Sequence, residues 1–281
     1  MGKEFLIGFT TALLVVLFAA TLAVGFFWHQ QTLQIVRLSL SVDGLPPAWD
    51  GVRIGLISDL HIGTYMNASR VQRVVRRLNA QRPDFIVIAG DTVDVRVTEA
   101  QEAEPALRAL YELEAPYGVY LVFGNHDTPR AHLWRPLIQQ GGIRILENEH
   151  VALQKGDDTL YLVGLADALY GRIDLRRSWQ GIPEDACVIL AVHEPDVADE
   201  FADWPVALQL SGHSHGGQIV LPFSRPRYLP PLAHKYYSGL YTSEAGHPVY
   251  TTRGVGTSQV PFRFLARPEI TIITLRDSEA C

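Results

Sequence analysis

From Phe5 to Trp28 the chain is almost wholly apolar: FLIGFTTALLVVLFAATLAVGFFW. A run of ~20 or more such residues crosses a bilayer as a helix. It shows no polar face, which a helix packed on a soluble core would need. Lys3 precedes it, and Phe26, Phe27 and Trp28 close it with an aromatic edge of the kind that sits at a membrane interface. The run is too long for the apolar region of a cleaved signal peptide, and Thr21-Leu22-Ala23 is a poor cleavage site. The expectation is an uncleaved single-pass anchor over residues 1–28. Lys3 weighs toward an inside amino terminus, but Glu4 and Arg37 blur the count, so the side of the membrane stays open.

Beyond the anchor the period changes. Leu33 to Val42 alternates as a strand does, and Leu45-Pro46-Pro47 ends it. Val52 to Ser58, Phe85 to Ala89 and Val119 to Phe123 are short apolar runs that read as buried strands. Between them lie helix-like stretches. Ala68 to Ala80 carries Val71, Val74, Val75 and Leu78 at helical spacing, and Glu102 to Leu113 is the second helix. That rhythm implies parallel strands covered by helices.

After Gly141-Gly142 strands crowd together: Ile143 to Leu146, Val151 to Gln154, Leu160 to Leu165, Val188 to Val192, Leu208 to Leu210, Val249 to Thr252 and Ile270 to Leu275. The predicted fold class is α/β, a two-sheet β-sandwich flanked by helices behind an N-terminal transmembrane helix. The expected divisions are an anchor (1–28), a juxtamembrane lead-in strand (29–50), one catalytic domain (51–276) and a short tail (277–281).

Composition narrows the function. The net charge of −6 argues against a general nucleic-acid binder, which would be basic. Cys187 and Cys281 are too few and too far apart for a disulfide framework or a thiolate metal site. A monomer is expected.

The chemistry sits where strands end. Ile57-Ser58 runs into Asp59-Leu60-His61, and Ala89-Gly90 into Asp91-Thr92-Val93-Asp94. Phe123-Gly124 runs into Asn125-His126-Asp127, and Ala191-Val192 into His193-Glu194. The fifth segment is Gly212-His213-Ser214-His215-Gly216-Gly217. Taken singly, Asp59, Asp91 or Asn125 would be a helix cap or turn residue. Jointly, five strand ends with carboxylate, imidazole and amide ligands and no thiolate suit divalent ions such as manganese, iron or zinc. The set is too large for one ion and suits two, which acidify a shared water for attack at phosphorus.

These segments, in this order, resemble the signature of the calcineurin-like metallophosphoesterases, over about residues 52–275. The resemblance implies that Asp59, His61 and His215 hold a first metal, and Asn125, His193 and His213 a second, with Asp91 between the two. It implies that a metal-bridging hydroxide attacks the phosphoester. His126 would protonate the leaving oxygen, and Asp94 would fix the His126 tautomer. Manganese is the favoured ion. One departure matters: Val95 stands where the protein phosphatases of the superfamily carry an arginine, and Arg96 comes one residue later. The carboxy-terminal segments from Arg253 onward resemble a bacterial subgroup of small, often membrane-anchored members. Relatives of these hydrolyse the pyrophosphate of UDP-2,3-diacylglucosamine in lipid A synthesis.

For the rest of the substrate's charge, Arg253, Arg263 and Arg267 are the expected cations. Phe223 to Tyr237, next to the paired histidines, is the expected pocket wall. Ala166 to Pro183 is a candidate lid. The resemblance points to the bacterial cytoplasmic membrane and the anchor to a substrate that is lipid-linked, with soluble phosphoesters and a non-catalytic metal-binding scaffold as the alternatives.

Overall fold

The protein is described from a computed structural model covering residues 2–31 and 33–278. Helix α1 (Gly2–Gln31) covers the expected anchor. Its Gly2–Thr21 portion is long and apolar enough to cross a membrane and is entirely exposed. The side chains of Phe26, Phe27 and Trp28 lie outside the described residues, as does Cys281.

Strand β1 (Gln34–Val42) follows, then β2 (Arg53–Ile57), α2 (Ala68–Asn79), β3 (Phe85–Ala89), α3 (Ala100–Ala109), β4 (Val119–Val122), α4 (Ala131–Gln140) and β5 (Arg144–Ile145). Next come β6 (Glu149–Lys155), β7 (Asp158–Gly164), the single-turn α5 (Leu175–Ser178), β8 (Val188–Ala191) and β9 (Leu208–Ser211). The last three are β10 (Gly239–Thr242), β11 (Pro248–Thr251) and β12 (Glu269–Asp277).

They form two six-stranded sheets, in the orders β1-β12-β2-β3-β4-β5 and β10-β11-β9-β8-β7-β6. β2, β3, β4 and β5 run parallel, as do β7, β8, β9 and β11.

Alternation along each strand sorts the core into layers. Ile54, Leu56, Phe85 and Val87 point inward and pack with Leu160, Leu162, Ile189 and Leu208 of the facing sheet. Ile57, Ile86 and Ile88 point outward, under Val71, Val75 and Leu78 of α2 and Leu107 of α3. The outer face of the second sheet is covered by Trp179, Val197 and Phe201 rather than by long helices.

Three elements differ from what periodicity suggests. Helix α4 carries Pro136, which masks a helical spacing already present in Trp134 and Ile138, both buried. β5 pairs with β4 and belongs to the first sheet. The terminal strand β12 also returns to that sheet, antiparallel to β2 and parallel to β1 over nine residue pairs from Gln34–Glu269 to Val42–Asp277. The lead-in strand is therefore a structural strand of the domain.

Candidate metal centre

All five ligand-bearing segments lie at one edge, where the parallel strands of both sheets end. The loops there are stitched to one another. The Asp59 amide donates to Gly90 O (2.9 Å) and that of His61 to Asp91 O (3.0 Å). From the other sheet, the His213 amide donates to Asp59 Oδ1 (3.1 Å) and Nδ1 of His193 donates to Ala89 O (2.7 Å).

The backbone is bent hard to bring the side chains inward. Asp59, His61, Asp91, His213 and His215 all have φ between 48° and 70°. L-residues enter that region at a cost, and such strain persists only where the surroundings impose it. Gly90 (φ 88°) and Gly124 leave room where a side chain would collide. A Cβ on Gly90 would lie 2.3 Å from His193 Nδ1, and one on Gly124 2.3 Å from Asp91 Oδ1.

The ligand-bearing atoms converge. Asp91 Oδ2 lies 3.5 Å from His61 Nε2 and 3.3 Å from His193 Nε2, between the two groups. His215 Nε2 is 3.0 Å from His61 Nε2 and 3.5 Å from Asp59 Oδ1. His213 Nδ1 is 3.2 Å from His193 Nε2, and its Nε2 donates to Pro231 O (2.9 Å). Asp59, His61 and His215 thus form one cluster and Asp91, His193 and His213 another, with His61, Asp91 and His126 spanning them. Asn125 Oδ1 is buried and has no hydrogen-bond partner.

These residues fit a pair of divalent cations. Nitrogen lone pairs facing one another at 3 Å and an orphaned amide oxygen are unfavourable alone and favourable around positive charge. Three of the four histidines agree in protonation state; against burial, Asp91 holds the fourth, His193, well above its usual value, so bound ions would have to displace its proton. Burial pulls His61 down to about 3 and His213 to about 4, and burial with the neighbouring His61 and Arg263 pulls His215 well below its usual value. Their rings are therefore neutral and free to ligate. Burial opposes the charge on Asp91, but the nearby His193 outweighs it and holds the carboxylate well below its usual range.

Asp127 locks the arrangement from behind. Fully buried, it accepts from the amides of Val93 (2.8 Å), Thr92 (3.0 Å) and Gly124 (3.2 Å). It thereby ties the Asp91 loop to the Asn125 loop. The Gly124-Asn125-His126-Asp127 segment contains it, yet no local pattern marks it as the clamp.

Two sequence-based assignments meet other partners in the structure. The Asp94 carboxylate, expected to fix the His126 tautomer, lies instead on Arg96 and near His61. The Arg96 fork grips it, Nε to Oδ1 and Nη2 to Oδ2 at 2.8 Å each, and its Oδ2 lies 3.7 Å from His61 Nδ1. Nδ1 of His126 instead accepts from the Val95 amide. The second such assignment concerns the arginines. Arg263 is buried and spends its donors on Gly256 O, His215 O, Ala266 O and Arg253 O, with Nη2 3.1 Å from His215 Nδ1. Arg253 is ion-paired to the buried Glu269. Arg267 is exposed, and neither it nor the other two lines the cleft.

The cleft over the centre has a volume of about 530 Å³. Asp91, Asn125, His126, His213 and His215 lie at its base. Arg227 and Tyr228, from the expected Phe223–Tyr237 wall, form one side, and Gln259 and Val260 the other. The candidate lid, Ala166–Pro183, does not reach it; Trp179 there is buried against Trp204, with ring centroids 5.0 Å apart.

A family model described as calcineurin-like phosphoesterase matches residues 52–217. The chain is 36% identical to the uncharacterized metallophosphoesterase YkuE of Bacillus subtilis, over 83% of this chain and 82% of that one. It is 30% identical to the phosphodiesterase YaeI of Escherichia coli, over 85% and 86%. It is 31% identical to a Danio rerio transmembrane protein with a metallophosphoesterase domain, over 96% of this chain but only 64% of that longer one.

Proposed function

The chain belongs to the calcineurin-like phosphoesterase family and is a metal-dependent phosphoester hydrolase, and on that premise we propose that it cleaves a phosphodiester or pyrophosphate bond at a two-ion centre. Asp59, His61 and His215 would hold one ion and Asn125, His193 and His213 the other, with Asp91 available to both. The observation that carries this is the position of Asp91 Oδ2, 3.5 Å from His61 Nε2 and 3.3 Å from His193 Nε2. Divalent ions bound there, manganese by first choice, supply charge neutralisation for phosphate oxygens and an acidified water as nucleophile.

The chain's own groups do the rest. His126 sits at the base of the cleft with Nδ1 occupied by the Val95 amide, so a neutral ring carries its proton on Nε2. That proton is available to the leaving oxygen. Arg227, on the cleft wall, is placed to meet the phosphate charge that the ions leave uncovered. The name of the Escherichia coli relative supports a diester.

Helix α1 supports membrane anchoring and hence a lipid-linked substrate such as UDP-2,3-diacylglucosamine, met at high effective concentration on the same bilayer. Soluble phosphodiesters are the second reading, supported by the open cleft. The test uses detergent-solubilised full-length protein with added manganese. Bis-p-nitrophenyl phosphate should be hydrolysed, and chelation or Asp91→Asn should remove the activity. An active Asp91→Asn enzyme would overturn the shared-ligand assignment. With the UDP-lipid, release of UMP marks pyrophosphate cleavage.

A further inference from the structure

Outside α1, nine large hydrophobic side chains are exposed among the described residues, and six of them stand on two adjoining loops beside the cleft. Ile219, Leu221, Phe223 and Tyr228 belong to the first loop; Val260 and Leu265 belong to the second. The loops are joined rather than loose. The Val220 amide donates to Phe264 O and the Phe264 amide to Gln218 O, both at 2.9 Å. Gln218 Nε2 also donates to Ser258 O at 2.9 Å.

Phe223 has φ 60° and is fully exposed. A bulky residue in the left-handed region is costly, and water offers an aromatic ring nothing in return. Arg225 and Arg227, both exposed, interleave with these apolar tips. Bulky apolar side chains alternating with cations form the pattern of a segment lying at a lipid headgroup boundary.

The anchor enters at this same edge. α1 ends at Gln31 and β1 starts at Gln34, so the two are separated by three Cα steps, at most ~11 Å. Leu33 and Ile35 are packed against the core, which fixes the start of β1. Gln34 Oε1 accepts from Arg253 Nη2 at 3.2 Å. Arg253 in turn lies on the backbone of Gly216, where a Cβ would come within 2.7 Å of its Cγ. The adjacent Gly217 abuts Pro226, between Arg225 and Arg227. A short chain of contacts therefore links the start of β1 to the base of the apolar loop.

We propose that the loops 219–228 and 260–265 form a docking rim that inserts into the headgroup boundary of the bilayer holding α1, so that the catalytic cleft opens onto the lipid surface. The proposal concerns the orientation of the domain and stands whichever phosphoester is cleaved. The hairpin turn at Gly156-Asp157 precedes β7 at the opposite edge and faces away from the membrane.

Full-length protein carrying Cys281→Ser tests this after reconstitution in vesicles of phosphatidylethanolamine and phosphatidylglycerol. A nitroxide is placed at Phe223→Cys or, as reference, at Asp157→Cys; the remaining Cys187 is buried. The label at 223 should report a depth of roughly 5–10 Å below the headgroup plane, with oxygen favoured over a water-soluble nickel complex, whereas that at 157 should report open water. Equal nickel access at both positions overturns the proposal. Shielding of position 223 from both reagents overturns it too, because that places the rim against protein. Melting temperatures unchanged from the unlabelled parent show that the labelled proteins are folded; a parent that fails to hydrolyse bis-p-nitrophenyl phosphate while the label at 223 keeps its depth would count against the phosphoesterase reading alone.

Discussion

The amide of Val95 donates to Nδ1 of His126 across 3.2 Å, so the ring is oriented by the main chain rather than by a carboxylate. The position that carries arginine in the protein phosphatases here contributes its backbone N–H. The Arg96 guanidinium, one residue on, is turned back onto Asp94.

Replacing His126 should separate chemistry from metal binding. His126→Ala is expected to retain both ions by elemental analysis while kcat falls ~100-fold or more, the usual scale for losing a positioned proton donor. Loss of the ions instead would move His126 into the ligand set with His61 and Asp91, which its position also permits.

Asp94 should behave differently. It faces His61 Nδ1, so Asp94→Asn weakens the hold on a metal-ligating imidazole. Metal affinity should fall ~10–100-fold, as for other groups that orient a ligand. Activity should recover at saturating manganese, and the pH profile of kcat should stay in place. A shifted profile would reinstate Asp94 as the partner of His126.

Two arginines offer a contrast. Arg227→Ala removes a cation from the cleft wall and should raise KM about tenfold with little change in melting temperature. Arg263→Ala leaves carbonyls of Gly256, His215, Arg253 and Ala266 without their donor. It should cost ~3 kcal/mol or more, which is roughly 6–12 °C in Tm for a domain of this size. Comparison of Tm and KM for the two variants distinguishes the roles.

Glu194 sets a pH dependence in the metal-free protein. Burial, helped by Asp167 and opposed by His193, raises its carboxyl from 4.5 to about 8. The native state therefore keeps a proton that the unfolded chain releases above pH 4.5. Stability from this group is full below that value, declines as pH rises, and is gone once pH passes about 8. The slope is at most ~1.4 kcal/mol per pH unit. Between pH 5 and 8 chelator-treated protein should lose melting temperature relative to chelator-treated Glu194→Gln, a comparison in which the opposing contributions of His61, His213 and His215 cancel.

Much of the site was legible because its residues follow strands directly. The run Leu190-Ala191-Val192 announces a buried strand, and His193 comes at its end. Local patterns carry no information on partners brought together by folding. Arg263 looks like a free cation in sequence, yet the turn through Gly256 wraps its guanidinium in carbonyls. Spacing alone does not tell whether Asp94 serves His61 or His126, whose ring centroids lie 4.5 Å apart. β10, half exposed along its length, has no apolar run to reveal it.

The left-handed backbone at Asp59, His61, Asp91, His213 and His215 has an evolutionary consequence. Each costs on the order of 1–3 kcal/mol that glycine would not incur. While hydrolysis is under selection, that cost is tolerated. In a descendant kept only as a scaffold, drift should relax these positions first, toward glycine or asparagine, before it touches His193, which is not among the residues with positive φ. A gene copy with glycine at positions 59, 91 and 215 but an intact histidine at 193 would mark a lineage that has given up catalysis while keeping the fold.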